Sequence, residues 1–180
     1  MRELRNIATL TIALSLAACG REQRPAAPFL PPPPPAARPP AQTASPSEAA
    51  FVASNGSIDL FVIRSSELAL QRSSSARIRD FAAQMIEAHK GTSAQLSFAG
   101  RRLNLLPSAT LRPSEQAMLD GLETSPRFDA EYVRDQRVVH QRAVALDTAY
   151  LGGGRSPTLR PVAEAALPIE ERHLRMIAYL

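Results

Sequence analysis

The sequence predicts an all-α domain: a four-helix bundle with one short extra helix in its middle connection. Three observations carry that prediction. From Ser47 onward the apolar residues recur at three- and four-residue steps, the helical period. The same stretch contains no run of alternating β-branched residues. Turn-forming clusters divide it into four long segments and a short one, as expected for helices paired by short loops around a longer connection.

Ser47 can cap a first helix that turns Phe51, Ile58, Val62 and Ala69 inward. Within it, Asn55-Gly56 predicts a kink or break. The serines at 73–75 form a turn. A second helix then presents Ile78, Phe81, Met85, Leu96 and Ala99, ending near Gly100 and ahead of Pro107. Pro113 opens the short helix "PSEQAMLDGLE", because proline is tolerated where a first-turn N–H would be unpaired anyway. A third long helix runs from about Arg127 to Leu151, with Phe128, Tyr132, Val139, Ala143 and Leu146 inward. "GGGRSP" at 152–157 breaks the chain. The final helix carries Leu159, Ala163, Ala166, Ile177 and Leu180. Inside it Pro168 removes a bond donor and frees the Glu164 carbonyl, which predicts a bend just before His173.

The N-terminal residues belong to no such pattern. A short charged start (Arg2, Arg5) precedes an apolar run from Ile7 to Leu16 that is too short for a stable membrane span. Leu16-Ala17-Ala18-Cys19 resembles the lipobox of bacterial lipoproteins, which implies a signal peptide over 1–18 and lipidation of Cys19. Cys19 is the single cysteine, so no intrachain disulfide exists, and lipidation accounts for an odd thiol in an exported chain. Gly20 after it, by resemblance to enterobacterial sorting, points to the outer membrane. Residues 19–46 hold ten of the sixteen prolines and read as an extended polyproline stalk, leaving 47–180 as the folded domain.

Net charge is +4, carried by twenty arginines and the lone Lys90 among interspersed acids. That scatter, with an export signal, argues against a nucleic-acid partner. The expected partners are instead the membrane, through the lipid anchor, and a protein of the envelope. No nucleophile elbow, His-Glu-x-x-His or phosphate loop is present, and a cysteine nucleophile is excluded by the position of Cys19.

Three stretches, "DLFVIRSSELALQRSSSARIRDFAAQMIEAHKGTSAQL" (59–96), "RFDAEYVRDQRVVHQRAVAL" (127–146) and "LPIEERHL" (167–174), resemble the bacterial family called domain of unknown function 4142. The resemblance covers roughly 48–180 and implies an exported helical protein of ferritin-like fold. It lends no activity. Family members commonly carry a glutamate where this chain has Val62, and Glu67 is too far round the helix to replace it.

The three histidines fall one per helix, each on or near an apolar face. His89 aligns with Met85, Thr92 and Leu96; His140 follows Tyr132 and Gln136 at four-residue steps; His173 lies one turn after Glu170. A ferritin-like di-iron centre needs Glu-x-x-His on two helices. Here only Glu170-x-x-His173 fits, because Ile86 and Arg137 precede the other two. Two readings remain. In the first, Tyr132, Gln136, Glu170 and the histidines form a mutually hydrogen-bonded layer. In the second, His89, His140, His173 and Glu170 hold one transition-metal ion, zinc, copper or iron. The sequence therefore ranks an interaction or structural module of the cell envelope first, a metal-binding envelope protein second and an enzyme last.

Overall fold

The computed structural model describes residues 45–180. Cys19, the signal segment 1–18 and nearly all of the proline-rich stretch lie outside the described residues. Five helices follow in order: α1 (Glu48–Arg72), α2 (Ala76–Arg101), α3 (Pro113–Thr124), α4 (Phe128–Gly153) and α5 (Arg160–Ile177). No strand occurs among the described residues, and no helix there is long and apolar enough to cross a membrane.

The helix starts follow local chemistry. The Ser47 hydroxyl accepts from the Ala50 N–H at 3.2 Å, and that of Ser75 accepts from Ile78 at 3.4 Å. Each satisfies an amide that has no partner inside its helix. Pro113 occupies the first turn of α3.

Two expectations are corrected. Asn55-Gly56 does not break α1, which is continuous from Glu48 to Arg72. Gly56 is buried, and a Cβ there would stand 2.6 Å from Pro107 Cβ. The glycine serves a close approach of the chain, and Asn55 spends its side-chain amide on Asp147 of α4, at 3.0 Å, rather than on its own backbone. The break expected at Gly152 begins only at Gly154, since α4 extends through Gly153. Helix α5 continues through Pro168, which lies on its exposed side.

Cross-helix contacts define the topology. Asn55 meets Asp147 and Ser66 meets Tyr132, so α1 and α4 are antiparallel. Arg77 reaches the Tyr179 carbonyl while His89 faces His173, so α2 and α5 are antiparallel too. With the hairpins α1/α2 and α4/α5, every neighbouring pair is antiparallel and α2 runs in the same direction as α4. Such a layout requires one crossover along the bundle, the feature that marks ferritin-like connectivity. Residues 102–127 supply it. Their helix α3 lies over α1 and α4, tied there by Ser57–Glu115 and Arg142–Glu115 contacts at 3.2 and 3.1 Å. Two apolar clusters result. One gathers Phe61, Val62, Phe81, Met85, Leu122 and Tyr132, the other Phe51, Val52, Leu96, Tyr150 and Leu159. A buried polar layer falls between them.

Candidate metal centre

Three of the four long helices supply the candidate ligands of the polar layer. From α2 comes His89, from α4 His140, and from α5 both Glu170 and His173, which share a face at i,i+3. All four side chains are buried. One ring nitrogen from each histidine and one Glu170 oxygen lie within 4.8 Å of one another. The ring centroids stand 5.2–5.4 Å apart.

Hydrogen bonds fix which atoms face inward. His140 Nδ1 lies 2.7 Å from the Gln136 carbonyl, which can only accept, so that nitrogen carries the proton and Nε2 presents a lone pair. His89 Nδ1 lies 2.8 Å from Asp59 Oδ1 and donates to it in the same way. The two Nε2 atoms are 3.3 Å apart. Glu170 approaches with Oε1 at 3.9 Å from His89 Nε2 and Oε2 at 3.7 Å from His140 Nε2. Two lone pairs at 3.3 Å need a cation between them. A proton on His89 Nε2 would serve that one pair, yet Glu170 Oε2 and His173 Nδ1 have no hydrogen-bond partner among the described residues. A metal ion would serve all four groups.

Burial governs the ionisation of the cluster. It opposes the charged form of His89, but the hydrogen bond to Asp59 and the charges of Glu170 and Asp59 outweigh it and raise the pKa. His140 is held well below the usual imidazole range by burial, then by charge on His89. His173 is lowered to about 3 by burial, His89 and Arg172. Glu170 is raised to about 7 by burial, against the pull of His89. Neutral imidazoles are the ligand form.

The other expected members of the layer lie elsewhere. Tyr132, two turns from His140, bonds Ser66 at 2.8 Å and stacks among Phe81 and Phe128. Gln136 gives its amide to Ser65 at 2.8 Å, and its side-chain oxygen has no partner among the described residues. The Tyr132 hydroxyl and the Gln136 side chain are therefore not partners of the histidines, whose rings instead meet Asp59, the Gln136 carbonyl and one another. Val62 packs in the apolar cluster, and the carboxylate from α1 is Asp59, one turn earlier. Sequence reasoning passed over Asp59 and Asp147. Both are buried, and their one signal was helical register with inward residues: Asp59 with Val62 and Asn55, Asp147 with Ala143 and His140.

On the sequence side, the family described as Domain of unknown function (DUF4142) matches residues 32–180. The chain belongs to the DUF4142 family. No curated protein matches it. Among solved structures, this DUF4142 chain is similar to CopM in the Cu(II)-bound form, at 16% identity, with 75% of this chain and 95% of that chain covered and a TM-score of 0.64. CopM in the Cu(I)-bound form gives 15% identity and a TM-score of 0.63 at the same coverage. A DUF305 fragment from Deinococcus radiodurans gives 21% identity and a TM-score of 0.63, again at that coverage. At these identities the likeness is one of fold.

Proposed function

We propose that this DUF4142 domain binds one transition-metal ion through His89, His140, His173 and Glu170, as a metal-holding protein of the cell envelope. The observation that carries the reading is the convergence of four buried groups, with three ring nitrogens and one carboxylate oxygen within 4.8 Å of one another. Distances fit the role. Zinc–nitrogen bonds of about 2.0–2.1 Å place tetrahedral ligand atoms about 3.3–3.4 Å apart. Here His89 Nε2 and His140 Nε2 stand 3.3 Å apart, the nearer Glu170 oxygens stand 3.7 and 3.9 Å from them, and the four donor atoms fall within 4.8 Å of one another. Three imidazoles and one carboxylate suit zinc or copper, and copper is favoured by the copper-bound CopM structures that share the fold. A four-ligand buried set leaves no open position of the kind catalytic zinc keeps, so the site suits holding rather than turnover.

Elemental analysis of the purified chain, with its melting temperature followed as zinc and copper are added after chelation, tests this. About one ion per chain and a rise in melting temperature are expected. Neither ion raising it would leave the envelope-module reading in its place. In the same reading Cys19 anchors the chain to the outer membrane by lipid. Fatty-acid labelling that persists after Cys19→Ser would remove the anchor.

A further inference from the structure

Asp59 lies outside the ligand set yet reaches it through His89. Its Oδ1 accepts from His89 Nδ1 at 2.8 Å and from the Thr92 hydroxyl at 2.8 Å, and the residue is only 5% exposed. We propose that Asp59 sets the net charge of the centre, so that it retains a divalent ion in preference to a monovalent one. The inference rests on the metal reading above and adds the ion class.

The charge count carries it. Three neutral imidazoles contribute nothing, while Glu170 as a metal-bound carboxylate and Asp59 as a carboxylate accepting two hydrogen bonds contribute one negative charge each. A divalent ion brings the layer to neutrality; a monovalent ion leaves a net negative charge inside the bundle, where uncompensated charge is strongly disfavoured. Among the described residues, no lysine or arginine makes an ion pair with Asp59 or Glu170 that could offset it. Burial, together with the charges of Glu170 and Asp59, disfavours the ionised form of Asp147, the remaining acid of the layer. Of the two oxidation states of copper, the centre takes the cupric one.

Asp59→Asn isolates the effect. The amide oxygen still accepts from His89 and Thr92, the shape is kept, and only the charge is lost. With it gone, a divalent centre becomes cationic and a monovalent one neutral. Zn(II) and Ag(I) are the probes, since neither changes oxidation state, and each affinity is measured by competition with a chelator on the purified full chain. The wild-type chain is expected to bind Zn(II) well ahead of Ag(I). In Asp59→Asn the Zn(II) affinity should fall about 10–100-fold, the range for loss of an outer partner of a ligand, while Ag(I) affinity holds or rises. Thr92→Val, which removes a neutral hydrogen bond to the same oxygen, should leave the Zn(II)/Ag(I) ratio unchanged. Equal losses for both ions in Asp59→Asn would overturn the proposal and reduce Asp59 to a positioning residue for His89. Equal wild-type affinities would overturn it without any variant, should Asp59→Asn fail to fold. Binding of neither ion by the wild type would instead remove the metal reading beneath it.

Discussion

His173→Leu separates a ligand from a structural histidine by the sign of its effect. His173 is 2% exposed, its Nδ1 has no hydrogen-bond partner among the described residues, and its pKa near 3 keeps the ring neutral at pH 7.5. Leaving a buried polar atom unpaired costs roughly 1–3 kcal/mol, which the substitution recovers. Leucine has similar volume, and volume-conserving swaps usually cost less than about 1.5 kcal/mol. The chelated variant should therefore be between unchanged and about 2 kcal/mol more stable than chelated wild type. Each kcal/mol corresponds to about 3–5 °C for a domain of this size. With zinc or copper present the order should reverse, because the variant has lost a ligand and the wild type gains its binding free energy. Thermal melts of both proteins at pH 7.5, with and without metal, provide the assay. A chelated variant destabilised by more than about 1 kcal/mol would show that the imidazole satisfies partners in the fold, and the reasoning would fail.

Asp147 gives a pH signature. Burial, partly offset by Asn55, raises its pKa to about 7. The folded chain then binds a proton that the unfolded chain has released, so stability is greatest below pH 4 for this group and declines as pH rises toward 7. Asp147→Asn should flatten that decline in urea titrations of the chelated chain, and an unchanged slope would contradict it. Gly100→Ala should destabilise by about 1–3 kcal/mol despite alanine's better helix propensity, because its Cβ collides with the Leu105 carbonyl; a melt at or above wild type would show that the turn can yield. Arg72 donates to the carbonyls of Leu122, Glu123 and Ser125 at the end of α3 and stacks on Phe128 at 4.6 Å. Arg72→Lys keeps the charge but loses the fork and the stacking, and should cost about 1–2 kcal/mol, measured by chemical denaturation.

Periodicity and caps made the helices legible. Ser47 and Pro113 mark starts through groups within four residues, so no tertiary knowledge is needed. The three clustered histidines were legible as one inward imidazole per helix. Their neighbours were harder, because periodicity reports the angle around a helix and says nothing of height along the bundle. Tyr132 and His140 share a face of α4, yet Ser66 of α1 stands opposite the first and the other histidines stand opposite the second. Asp59 escaped notice for a related reason. An aspartate on a helix ordinarily reads as solvated, and its partner His89 is 30 residues away, brought across only by the α1/α2 hairpin. Asn55-Gly56 misled because the contact with Pro107, which makes glycine necessary, comes from the crossover.

The proposed ligands are divided unequally between the two hairpins that the crossover joins. His89, with Asp59 behind it, belongs to α1/α2, and the other three belong to α4/α5. Residues 108–110 of the crossover are exposed, the kind of site where proteases nick a folded chain. A cut there would leave two fragments, each carrying only part of the coordination shell. The ion would then be the bond that the peptide no longer makes, holding the fragments at a high effective concentration for one another. Stripped of it, the same nicked molecule would have only its apolar interface to keep the halves together.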